Sequence, residues 1–80
     1  MEIKVLGSGC TNCKKLYQYA TKAVEELKVE ANVLYITDLM EIAKANLLRT
    51  PGLIFDGKIV SYGRVPETEE IKTMIQKHLG

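Results

Sequence analysis

Ile3, Val5 and Leu6 open the chain as a short apolar run that stops at Gly7-Ser8-Gly9. An apolar run closed by a glycine-rich turn predicts a strand. From Cys13 the period changes. Leu16, Ala20, Ala23, Val24 and Leu27 recur at helical spacing, with Lys14, Lys15, Lys22, Glu25 and Glu26 mostly opposite. This predicts an amphipathic helix reaching about Leu27 or Lys28. Ala31 to Ile36, apolar and aromatic, reads as a second strand. Thr37 and Asp38 then signal a helix start, with Glu41 three residues after Asp38 as in a capping box. Leu39, Ile42, Ala43 and Leu47 would form the buried face of this helix, and Met40 also falls on an expected core position. The helical pattern covers Thr37 to Leu48 and must end before Thr50, because Pro51 pushes the preceding residue toward extended geometry.

The clearest local signal comes next. Leu53-Ile54-Phe55 and Lys58-Ile59-Val60 flank Asp56-Gly57, a dipeptide suited to a two-residue type I′ hairpin turn. Glu67 to Leu79 is the last helix. Glu67, Glu69 and Glu70 favour its positive dipole end, and Ile71, Met74, Ile75 and Leu79 would face inward. The order is β-α-β-α-β-β-α. Its first crossover should be right-handed with parallel strands, and the hairpin adds antiparallel pairing. The predicted class is α/β, a four-stranded mixed sheet flanked by helices on both faces.

Eighty residues allow one domain, residues 1–80, and not two. Eleven Lys and Arg against ten Asp and Glu leave a net charge of +1. That balance makes no broad basic field for nucleic acid and no strong pull toward a membrane surface. The apolar stretch at the amino terminus is far too short for a signal peptide or a span. The expected compartment is the cytoplasm.

The chain has two cysteines, Cys10 and Cys13. A disulfide closing so short a loop constrains the unfolded chain little, so the pair is chemical rather than architectural. Cys10 falls at the junction of strand and helix, and Cys13 in the first helical turn. Residues three apart share a helix side, so the sulfurs can bond without large backbone movement. Free N–H groups and the dipole at that terminus stabilise a thiolate. A thiol of pKa about 8.5 is only ~3% ionised at pH 7, so lowering it to 7 raises the thiolate roughly fifteen-fold. Reduced nucleophilicity takes back roughly five-fold, and the better leaving group is the larger benefit. Cys10, before the helix and open to partners, is the expected attacking thiolate. Cys13 is the expected resolving thiol.

A C-x-x-C opening the first helix, with Thr50-Pro51 about forty residues later before a hairpin, resembles the thioredoxin fold. More narrowly, the chain resembles the small redox-active disulfide proteins, a glutaredoxin-sized thioredoxin-like family. The residues carrying this are Val5 to Cys10, Asn12 to Lys15, Thr37-Asp38, Thr50-Pro51, Asp56 to Lys58 and Gly63 to Pro66, which span almost the whole chain. The resemblance implies a sheet of order 2-1-3-4 with the third strand antiparallel to the rest, and a cis Thr50–Pro51 bond. It implies that Thr50 and Pro51 stand beside the cysteines to pair with an extended substrate, with Gly63 on the same face leaving room for it. The implied activity is thiol–disulfide exchange with protein disulfides, by a monomer supplied by a thiol or reductase electron donor, with no cofactor and no metal. Gly9 and Thr11-Asn12 stand where thioredoxins usually carry Trp and Gly-Pro, which predicts a smaller active-site surface. The basic and polar positions that bind glutathione in glutaredoxins have no residue-by-residue match. Asp38 and Glu26 are candidates by type for an acid serving the resolving thiol, although exposure is expected for both.

The rival class is a copper(I) or heavy-metal chaperone, which also carries C-x-x-C after its first strand. Its β-α-β-β-α-β order needs strands where Thr37 to Leu48 reads as helix, and Ser8 replaces its usual Met. A structural zinc site is weaker, since only Cys10, Cys13 and His78 are obvious ligands. His78 reads as a surface residue favoured by the helix dipole. A third alternative is a non-catalytic binding module on the same fold. The four tyrosines, Tyr17, Tyr19, Tyr35 and Tyr62, read as packing or surface residues.

Overall fold

A computed structural model describes residues 1–9, 11–47 and 49–80. Cys10 and Leu48 lie outside the described residues. The elements are β1 (Glu2–Leu6), α1 (Thr11–Leu27), β2 (Asn32–Ile36), α2 (Leu39–Lys44), β3 (Gly52–Phe55), β4 (Lys58–Tyr62) and α3 (Thr68–Leu79). The predicted β-α-β-α-β-β-α order is the observed one. The sheet order is β2-β1-β3-β4, with β1 and β2 parallel and β3 antiparallel to both its neighbours. The family resemblance implied this arrangement.

The two faces of the sheet are unequal. Ile3 and Val5 of β1 and Leu53 and Phe55 of β3 alternate onto one face. There they pack with Leu16, Ala20 and Ala23 of α1 and Ile71 and Ile75 of α3, all fully buried. The period-2 and period-3.6 patterns meet at this core. Leu6 and Ile54 turn to the other face, where α2 lies across a groove of about 320 Å³ also lined by Lys4, Ile36 and Ile59. Among the described residues, none of the site candidates Cys13, Thr50, Pro51 and Gly63 borders that groove.

The second helix departs most from expectation. It has six residues rather than most of Thr37 to Leu48, and it buries none of them. Leu39 and Met40 are 71% and 67% exposed, Ala43 is exposed, and Ile42 and Leu47 are half-buried. Asp38 is the N-cap, as the helix-start signal predicted, but its Oδ1 accepts the Met40 N–H at 2.8 Å rather than the Glu41 N–H of a capping box. At the other end Asn46 adopts φ +57°, the left-handed conformation that closes helices. The helix therefore ends well before Pro51 could stop it. In α3, Ile71 and Ile75 are buried as expected, but Met74 is only half-buried and Leu79 is 56% exposed. Asp56 and Gly57 have φ +49° and +84°, the two positive angles of a type I′ turn.

Candidate functional site

The last paired row of the sheet runs Ile36–Leu6–Gly52–Tyr62 across β2, β1, β3 and β4. One residue beyond it, at the carboxyl end of β1, come Thr37, Gly7, Pro51 and Gly63. This edge is where α1 begins. In open sheets of this kind, binding sites gather just outside the carboxyl ends of the parallel strands.

Cys13 sits in the first turn of α1 and is fully buried. Its sulfur is pressed against Gly7. A Cβ on Gly7 would lie 2.2 Å from Cys13 Sγ and 2.8 Å from Cys13 Cβ, with Pro51 Cα 3.9 Å away. No side chain fits there, so Gly7 is what lets strand, helix and proline close on one another. Its N–H donates to the Ile36 carbonyl at 3.0 Å, which ties the same point to β2. Reading Gly7 only as the first residue of a turn misses this role. The available signal was a glycine at the end of a buried strand, where close backbone approach is a recurrent reason for one.

The Thr50–Pro51 bond is cis, as the resemblance implied. Pro51 is buried and Thr50 exposed. Gly63, at φ +73°, donates its N–H to the Pro51 carbonyl at 3.0 Å, so β4 holds the proline segment from the far side. The space over Gly63 is filled by Arg49, whose Cβ and Cδ lie 3.1 Å from where a Gly63 Cβ would be. The structure thus brings together Gly7, Cys13, Pro51 and Gly63, with Thr50 and Arg49 on the exposed rim. The candidate attacking residue, Cys10, falls between Gly9 and Thr11 in sequence and lies outside the described residues.

Neither acidic residue considered for the resolving thiol belongs to this cluster. Asp38 is exposed and occupied in capping α2. Glu26 is exposed near the other end of α1, bonded to Lys72 at 3.0 Å, and that lysine holds its carboxyl below the ordinary value. His78, expected as a surface residue near the dipole end of the last helix, is partly buried and tied to the hairpin. Its Nε2 donates to Asp56 Oδ2 at 2.8 Å, and its ring meets the edge of Phe55.

The family model for the thioredoxin domain matches residues 1–76. The chain belongs to the thioredoxin family. A thioredoxin of Methanocaldococcus jannaschii is 42% identical over 77 residues, covering 96% of this chain and 88% of the relative. A thioredoxin of Methanothermobacter thermautotrophicus is 40% identical over 75 residues, covering 94% and 97%. Like other thioredoxins, this chain is a thiol–disulfide oxidoreductase. The metal-chaperone alternative loses its ground, because α2 stands where that topology requires strands. Among the described residues, no helix is long and apolar enough to cross a membrane.

Proposed function

We propose that Cys10 and Cys13 are the redox pair and that Thr50 and Pro51 form the wall that receives the substrate, with Gly63 behind them under the Arg49 stem rather than open to the partner. The observation that carries this reading is the burial of Cys13 against Gly7, with Pro51 Cα 3.9 Å from the point that a Gly7 Cβ would occupy. A buried thiol in the first helical turn suits resolution of an intermediate, which needs a second sulfur beside the first and closed to competing disulfides. The residue three positions earlier, before the helix, suits attack on an outside partner.

In the forward direction the Cys10 thiolate attacks one sulfur of a protein disulfide. The substrate S–S bond breaks, a Cys10–substrate mixed disulfide forms, and the first substrate sulfur leaves as a thiolate that takes up a proton. Cys13, on giving up its proton, attacks the Cys10 sulfur, and the second substrate thiolate departs. Two electrons and the Cys13 proton have passed to the substrate; the Cys10 proton was lost to solvent beforehand, and the second substrate thiolate takes one up from solvent. Thr50, exposed and next to the buried Pro51, offers an extended substrate segment a place to pair. We further propose that residues 1–80 act as one domain and as a monomer, in the cytoplasm, re-reduced by a thiol or a dedicated reductase.

The test is a redox titration of the purified protein, counting thiols against a dithiothreitol buffer series. One two-electron transition is expected, absent from Cys10→Ser and Cys13→Ser. Cys13→Ser should also accumulate a mixed disulfide through Cys10, which Cys10→Ser does not form. A protein with no reversible disulfide would overturn the reading.

A further inference from the structure

We propose that Arg49 selects substrates, favouring polypeptide disulfides that carry a carboxylate side chain within a residue or two of the attacked cysteine. This rests on Cys10, Thr50 and Pro51 acting as described above.

The two arginines next to the site differ in what they do. Arg64 follows Gly63 and is bound through both guanidinium nitrogens to the Glu70 carboxylate, which raises its pKa and satisfies its charge internally. Arg49 precedes Thr50-Pro51, is exposed, and has no ion pair or hydrogen bond among the described residues. Yet its stem is not loose. Its Cβ and Cδ lie 3.1 Å from where a Gly63 Cβ would be, tighter than ordinary contact, and Gly63 is itself bonded to Pro51. Packing the stem while the head stays in water fixes where the guanidinium starts from, and so lowers the entropy lost when it binds.

A substrate segment lying extended along Thr50 advances about 3.3 Å per residue. Arg49 is the chain neighbour of Thr50, so a substrate side chain one or two positions from the residue paired with Thr50 falls within reach of its guanidinium. A planar guanidinium with its donors unspent is suited to a carboxylate, which it can grip through two parallel hydrogen bonds. Lys14 and Lys15, exposed in the first turns of α1, likewise have no ion pair among the described residues and add positive charge on the helix that begins at this edge. The carboxylates Glu26, Glu69 and Glu70 are committed to Lys72 and Arg64 and offer Arg49 nothing.

The experiment compares second-order rates for reduction of two disulfide-linked peptides, one with glutamate beside each cysteine and one with glutamine in its place. Oxidised glutathione serves as a small carboxylate-bearing disulfide. Wild type should reduce the glutamate peptide about threefold to fivefold faster than its glutamine counterpart, the range open to an exposed charge pair. The preference should vanish in Arg49→Ala, reverse in Arg49→Glu, and shrink as salt is raised. The glutamine peptide should react equally with all three proteins, which separates lost recognition from lost folding. Equal rates for both peptides in wild type, or an Arg49→Ala variant slowed equally on both, would overturn the proposal and leave the redox reading intact. Reduction of neither peptide would remove the redox reading and this proposal with it. A glutathione rate that responds to Arg49 while the peptide pair does not would move the selected group from polypeptide to small thiol and also overturn the proposal.

Discussion

The two ends of the sheet are built on different principles. At the hairpin end, side chains do the tying. Asp56 receives the Glu2 N–H on Oδ1 at 2.7 Å and His78 Nε2 on Oδ2 at 2.8 Å, while its own N–H donates to the Glu2 carbonyl at 2.8 Å. One turn residue thereby joins β1, the β3–β4 hairpin and the end of α3, and Phe55 beneath it is fully buried. At the site end, among the described residues, the bonds that fix Gly7 and Pro51 are main-chain, and the nearest side-chain tie is that of Arg64 to Glu70. Gly7 to Ile36 and Gly63 to Pro51 are main-chain bonds, two glycines replace side chains, and the charges of Arg49, Lys14 and Lys15 are left for solvent or substrate. A thin 80-residue core has little stability to spare. The Asp56 ties sit at the end of the sheet opposite Gly7 and Cys13.

The contrast can be tested by damaging each end separately. The largest stability loss should come from Phe55→Ala at the hairpin end. Removing a fully buried aromatic costs about 3–5 kcal/mol, visible as a lower urea midpoint, while the rate per folded molecule stays near wild type. Gly7→Ala at the site end should cost less stability, about 1–3 kcal/mol for overpacking, but should impair disulfide reduction strongly, because the new methyl displaces Cys13 Sγ. If Gly7→Ala retained wild-type reduction, the close approach would be packing alone.

The smallest effect belongs to Asp56→Asn, chosen because Asn tolerates the positive φ of this turn. The Glu2 N–H and His78 hold the Asp56 carboxyl below its ordinary value of 3.8. A depressed carboxylate contributes stability that is complete above the unfolded value and lost as pH falls through the folded one. Wild type should therefore melt slightly above the variant at neutral pH, with the gap closing below pH 3.8. The disulfide reduction rate should not respond. A gap unchanged down to strong acid would show that the carboxylate charge contributes nothing.

Much of this molecule could be read from the chain. The Asp56-Gly57 hairpin, the first βαβ unit and the Asp38 cap are local patterns, and local sterics and hydrogen bonding suffice to produce them. Cys13 in a first helical turn follows from the same logic, since three-residue spacing and helical period involve only neighbours. The fate of α2 was not legible. Its apolar positions have the right period, yet six residues cannot hold a helix onto a sheet face unaided, and how much of that face is covered is settled by the remaining elements. His78 was misread for a similar reason, because its partner Asp56 is 22 residues away in the chain. By itself, then, the sequence determined the element order, the turn chemistry and the cysteine spacing, all of which depend on residues within a few positions of one another. Only the tertiary structure decided that Gly7 must be bare for Cys13 and Pro51 to meet, and that Arg49 rests on Gly63. Those are steric facts between segments brought together by the pairing of β1, β3 and β4, and the only local hint of them is a glycine at the end of a buried strand.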